Sequence, residues 1–106
     1  MTTARKEIVV LGGPNGAGKT TVAKVLLPKM LHIDEFVNAD VIARNLSPTN
    51  VEGVAVRAGR IMLLRMNDLL EQERPFAFET TCSGRGHLSY LARAKRQDWR
   101  ITLIFL

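Results

Sequence analysis

Ten residues, GGPNGAGKTT from Gly12 to Thr21, hold four glycines and one lysine directly behind the apolar run Ile8-Val9-Val10-Leu11. Glycine contributes nothing to packing and loses the most backbone freedom on folding. A cluster of it therefore needs a reason, either an unusual backbone path or the close approach of another molecule. Ile8 to Leu11 is short, continuous and rich in β-branched side chains, which fits a strand buried on both faces. Behind the glycines, Lys19 to Leu27 carries Val22, Ala23, Val25 and Leu26 and reads as a helix, with Pro28 expected to stop it. A buried strand, a glycine turn and a helix in that order leave few folds open.

Gly13 to Thr20 matches G-x-x-x-x-G-K-[ST], the P-loop, in the strand-to-helix context that such a motif requires. Backbone N–H groups converging on a triphosphate leave no room for side chains, and the turn needs angles that glycine adopts freely. The helix opening near Gly18 aims the positive end of its dipole at the phosphates. The nucleotide-binding set is thus Gly13, Pro14, Asn15, Gly16, Ala17, Gly18, Lys19, Thr20 and Thr21. Lys19 reaches the β- and γ-phosphates, Thr20 offers its hydroxyl to Mg²⁺, and Thr21 lies near the α-phosphate. An accidental match arises in on the order of one chain of this length in three hundred. No G-x-G-x-x-G can be read from these glycines, which removes the dinucleotide-binding alternative.

The remaining elements are expected as follows. Phe36-Val37-Asn38 is a short strand, and Asp40 to Asn45 a helical turn broken by Leu46-Ser47-Pro48-Thr49. Thr49 or Asn50 caps a long helix to about Glu73, ended by Pro75. Its apolar positions Val51, Val54, Ala55, Ala58, Ile61, Met62, Leu69 and Leu70 recur at three- and four-residue spacing. Phe76-Ala77-Phe78 is a third strand, Thr80 to Gly86 a polar loop, Leu88 to Gln97 a helix and Arg100 to Leu106 a fourth strand. Strands alternating with helices predict an α/β, three-layer P-loop NTPase fold: a parallel sheet of about four strands with helices on both faces. The 106 residues form one domain at most. The chain stops inside the apolar run Ile101 to Leu106, which reads as a truncated fold with an uncovered strand open to self-association.

Composition narrows the partners. The formal charge is +5, but the basic residues are scattered and not interleaved with aromatics, so nucleic acid is an unlikely partner. The single cysteine, Cys82, excludes an internal disulfide and fits a reducing cytoplasm. No apolar stretch approaches a membrane span or a signal-peptide core.

Two acidic residues stand where a parallel sheet gathers its ligands, at the carboxyl ends of strands. Asp40 follows the second strand. It can take a proton from a substrate hydroxyl as that hydroxyl attacks the γ-phosphate, or it can simply cap the helix it opens. Sequence leaves these two readings even. Glu79 ends the third strand and can hold Mg²⁺ through water or bind a substrate hydroxyl. Thr80, Thr81, Ser83 and Arg85 share this rim and can bind polar substrate groups. Asp34 and Glu35 read as solvated, His32 and His87 lack partners at metal spacing, and Trp99 packs the last helix against the sheet.

The combination of Gly12–Thr21 with Phe36-Val37-Asn38-Ala39-Asp40, Leu46-Ser47-Pro48, Phe78-Glu79-Thr80-Thr81 and Ser83-Gly84-Arg85 resembles the zeta-toxin family of P-loop kinases. The resemblance runs from the first strand to the last residue. It implies ATP- and Mg²⁺-dependent phosphorylation of a hydroxyl on a sugar nucleotide such as UDP-N-acetylglucosamine. It puts Asp40 in the place of the base and Lys19 and Thr20 at phosphate and metal. Glu79 takes the place of an acidic substrate-site residue. Where such a system has an antitoxin, that partner blocks the nucleotide site. Family members also continue past the fourth strand into a lid with arginines, which this chain does not carry. Another small molecule or a nucleic-acid end as acceptor, and an inactive nucleotide- or partner-binding remnant, are the alternative readings.

Overall fold

The computed structural model describes residues 5–14, 16, 18–80 and 86–106. Four parallel strands, β1 (Glu7–Gly12), β2 (Phe36–Val37), β3 (Phe76–Thr80) and β4 (Arg100–Phe105), lie in the order β2-β3-β1-β4. Ile8 pairs with Phe76 on one side and Ile101 on the other, so β1 has neighbours on both edges. That position explains its uninterrupted apolar run: Ile8, Val9 and Leu11 have no exposed surface at all.

Side chains alternate between the two sheet faces and meet different helices. Val9, Leu11 and Ala77 face α1 (Lys19–Met30), which contributes Ala23 and Leu27. Ile8, Val10, Phe76 and Phe78 face α3 (Ala55–Glu71) and α4 (Gly86–Arg96) through Met62, Met66, Leu69, Tyr90 and Ala94. α2 (Ala39–Leu46) packs against α3 on that second face. The result is the expected three-layer, P-loop NTPase-like α/β fold. Phe76 and Phe78 are fully buried, and either one truncated to Ala would cost about 3–5 kcal/mol. Trp99 sets its ring edge-on to Phe76 at 6.2 Å, and Tyr90 donates its hydroxyl to the Met66 carbonyl at 2.7 Å, tying α4 to α3. Burial pushes the Tyr90 hydroxyl pKa well above its ordinary value, against a smaller opposing pull from Arg93.

Several expected boundaries move. α1 runs through Pro28 to Met30. Pro28 sits exposed in the last turn, where the carbonyl it leaves without a donor can turn to water. The Leu31 and Ile33 N–H groups close the end on Leu26 and Leu27. The long helix divides into a 3₁₀ turn, Glu52–Val54, and α3, with Asn50 Oδ1 accepting from Gly53 N–H at 3.2 Å. The turn at 40–45 becomes a full helix, α2. Glu35 is not simply solvated: Arg65 and Arg74 donate to its two oxygens at 2.7 and 2.8 Å. The Arg65 hydrogen bond is the main cause of a Glu35 pKa below its ordinary value.

At the far edge of the described sheet, β4 pairs only with β1 and leaves Leu103 and Phe105 exposed. No helix among the described residues is long and apolar enough to cross a membrane.

Candidate active site

The strand order decides what meets at the carboxyl end of the sheet. The glycine loop leaves β1, Glu79 is the penultimate residue of β3, and Asp40 follows β2. With β3 between β1 and β2, Glu79 stands between the other two. Gly16, Gly18, Lys19, Thr20, Thr21, Asp40 and Glu79 line one cleft of about 400 Å³.

The loop's backbone explains its glycines. Gly13, Gly16 and Gly18 have φ of 143°, 86° and 90°, values other residues rarely adopt. Gly13 is also wedged in place. Its N–H donates to the Thr80 carbonyl at 3.2 Å, and a Cβ there would lie 2.8 Å from the Leu106 carbonyl oxygen. Gly18 opens α1 in a left-handed conformation with no side chain capping the helix, and the first turn carries no acidic residue. The first N–H groups of a helix have no partner within it, so those of α1 face the cleft with the positive dipole end.

Lys19 is buried, with its side chain only 3% exposed. Its ammonium donates to the Gly13 carbonyl at 2.5 Å and lies 3.5 Å from Glu79 Oε1. Glu79 Oε2 accepts from Asn38 Nδ2 at 2.9 Å. Asn38 Oδ1 then accepts from the Asp40 and Val41 N–H groups at 2.8 and 3.4 Å, which caps α2. One continuous polar chain thus joins the loop lysine, the end of β3 and the start of the Asp40 helix.

That chain revises two expectations. Asn38 does not extend β2, and the cap of α2 is Asn38, which leaves Asp40 in the first turn, exposed and lining the cleft. Asn38 is the site residue that the sequence reading missed. An asparagine just ahead of a helical turn was the available signal, since asparagine is among the best N-caps. Of the other expected residues, Thr20 and Thr21 line the cleft, while Gly13 supports it from behind. Pro14 and Thr80 lie outside its lining. Asn15, Ala17, Thr81 and Arg85, like Cys82 and Ser83, lie outside the described residues.

The residues fit a nucleoside triphosphate. Glycine φ values above zero, an uncapped helix start and a buried ammonium facing a cleft are what a polyphosphate needs. They also fit Mg²⁺, which needs only one or two protein carboxylates beside substrate phosphate oxygens. Asp40 and Glu79 can supply the carboxylates, and Thr20 a hydroxyl. No cluster of three or more His, Cys, Asp or Glu able to hold a metal occurs among the described residues.

No protein-family model matches the chain. Guanylate kinases of Clostridium perfringens strains SM101, ATCC 13124 and 13 are 42% identical to it over 50 residues, 47% of this chain. The match spans 22% of those relatives' length. Among solved structures, a proposed kinase from Chloroflexus aurantiacus J-10-fl superposes with a TM-score of 0.72 at 12% identity. That alignment covers 97% of this chain and 60% of the other. A chain of the Pnkp1/Rnl/Hen1 complex superposes at 0.65 with 20% identity, over 99% and 36%. The fold is shared with these proteins over nearly the whole chain.

Proposed function

We propose that the protein is a P-loop kinase that moves the γ-phosphate of ATP to a small-molecule hydroxyl. The observation that carries this reading is the single cleft in which the loop lysine, Thr20, Asp40 and Glu79 converge. Partial identity to guanylate kinases supports the reaction class. The resemblance to zeta toxins supports a sugar nucleotide such as UDP-N-acetylglucosamine as acceptor.

In this mechanism Lys19 exchanges the Gly13 carbonyl for phosphate oxygens, and Glu79 keeps it in line. The loop N–H groups and the α1 N-terminus hold the polyphosphate. Asp40 accepts the proton of the attacking hydroxyl while the new O–P bond forms and the bond to the ADP oxygen breaks. Mg²⁺, when bound, offsets charge on the phosphates, with Thr20 and Glu79 as its protein-side partners. An acidic group on an exposed first turn beside the cleft is well placed for proton exchange.

The guanylate kinase match favours a second reading, with a nucleoside monophosphate as acceptor. A phosphate acceptor has no hydroxyl proton to surrender, so the two readings separate at Asp40. The intact protein is assayed with ATP, Mg²⁺ and either UDP-N-acetylglucosamine or GMP. Transfer to the sugar hydroxyl, lost by about 10²-fold or more in Asp40→Asn with ATP binding kept, is the expected result. Transfer to GMP that survives Asp40→Asn within a few-fold contradicts the hydroxyl reading.

A further inference from the structure

A second concavity of about 310 Å³ lies against the first. It lies between α1 and the β2–α2 edge of the sheet. Ala23, Leu27 and Ile33 form a buried apolar floor, and Phe36 and Val41 form the walls. Lys24 and Asp34, one cation and one carboxylate, are exposed at its rim.

We propose that this groove is the acceptor subsite of the kinase reading above, on which the proposal rests, and that it takes a planar nucleobase-like ring. Continuity with the phosphate cleft comes first. Thr20 lines both spaces. Asp40 and Val41 are successive residues of α2, yet Asp40 lines the cleft and Val41 the groove. The start of α2 is therefore the ridge between them, and a molecule with its body against Val41 has its reactive end at Asp40. Asn38 fixes that ridge by capping α2 while holding Glu79.

The lining sets the chemistry. The volume falls at the lower end of small-molecule pockets, roughly 300–1,000 Å³, which suits one ring system and not a whole nucleotide. Apolar floor and walls return little to a bare sugar, whose hydroxyls project from every side of the ring and find partners only at Thr20, Lys24, Asp34 and Asn38. An alkyl chain would leave the Lys24 and Asp34 pair unused. A heteroaromatic ring has apolar faces for the walls and donors and acceptors along its edge for a mixed-charge rim.

Amide NMR of the intact ¹⁵N-labelled protein tests this. The probes are GMP, UDP-N-acetylglucosamine, free N-acetylglucosamine and a non-hydrolysable ATP analogue. The two base-bearing acceptor probes, GMP and UDP-N-acetylglucosamine, are expected to move the amides of Lys24, Leu27, Ile33 and Val41, and N-acetylglucosamine to leave them in place. The ATP analogue is expected to move Gly16, Gly18 and Thr20. Val41→Trp, at the exposed mouth, is expected to weaken the base-bearing probes by about tenfold or more while ATP-analogue affinity stays within about twofold. Groove amides that ignore both base-bearing probes, or answer equally to N-acetylglucosamine or to the ATP analogue, overturn the subsite and leave the phosphate cleft standing. An ATP analogue that moves none of Gly16, Gly18 and Thr20 overturns the kinase reading and the subsite with it.

Discussion

Asn38 does two jobs with one amide. Its oxygen caps α2 and its nitrogen restrains Glu79, so the strand end and the helix carrying Asp40 are held in one register. The two jobs can be separated by substitution. Asn38→Ser keeps a capping oxygen and loses the donor to Glu79, which is worth about 1.5–3 kcal/mol for a bond to a charged group. Asn38→Ala also loses the cap, worth about 1 kcal/mol more. Urea unfolding of the three proteins should therefore step down twice, and Asn38→Ser as stable as the parent would mean that the Glu79 bond contributes nothing. At this scale the sequence was only partly legible. The spacing of Gly13, Gly16, Gly18, Lys19 and Thr20 announced the glycine turn into α1 because the motif is local. The Asn38 bridge was not visible, because its partner Glu79 lies 41 residues away and meets it only through strand pairing.

Helix ends show how local chemistry yields to context. α3 and α4 close with the same pattern. Arg74 N–H bonds the Leu69 carbonyl and Trp99 N–H the Ala94 carbonyl, after a residue in the left-handed region. That residue is normally glycine. Here it is Glu73 in α3 and Asp98 in α4, with φ of 54° and 67°. Neither stop carries the glycine signal, yet the expected ends, about Glu73 and Gln97, fall within two residues of the observed Glu71 and Arg96. Glu73→Gly removes the steric penalty of the left-handed conformation and keeps the closing bonds. It should stabilise the protein by about 0.5–1 kcal/mol, read as a higher denaturation midpoint. A fall in the midpoint would show that the Glu73 side chain contributes more than its backbone costs. Pro28 is the opposite case, a stop signal inside a helix, because its exposed position in the last turn makes its missing N–H inexpensive.

Over the whole molecule, the alternation of apolar strands and amphipathic helices foretold a parallel three-layer fold, and the β2-β3-β1-β4 order then brought Asp40, Glu79 and the glycine loop together. The same packing makes stability depend on pH. His87, at the start of α4, lies with its ring 5.0 Å from that of Phe78, and burial lowers its pKa below 6.5. The folded state therefore favours neutral His87, and the unfolded chain takes up its proton first. Stability is held above pH 6.5 and lost as pH falls through the lower, folded value. Glu35, held by Arg65 and Arg74, adds a second loss below 4.5. Denaturation midpoints at pH 7.5 and 5.5 should fall for the parent and less for His87→Gln; equal falls would exclude His87 as the cause.

The central claim is that the loop from Gly13 to Thr20 holds the phosphates of a nucleotide with Lys19 as its one side-chain cation. Titration calorimetry of ATP against the parent and Lys19→Ala tests it most directly, with circular dichroism to confirm that the variant remains folded. Each charge-assisted hydrogen bond from the Lys19 ammonium to a phosphate oxygen is worth roughly 1.5–3 kcal/mol, so affinity should fall by about tenfold or more. Equal affinity in two folded proteins would contradict the account.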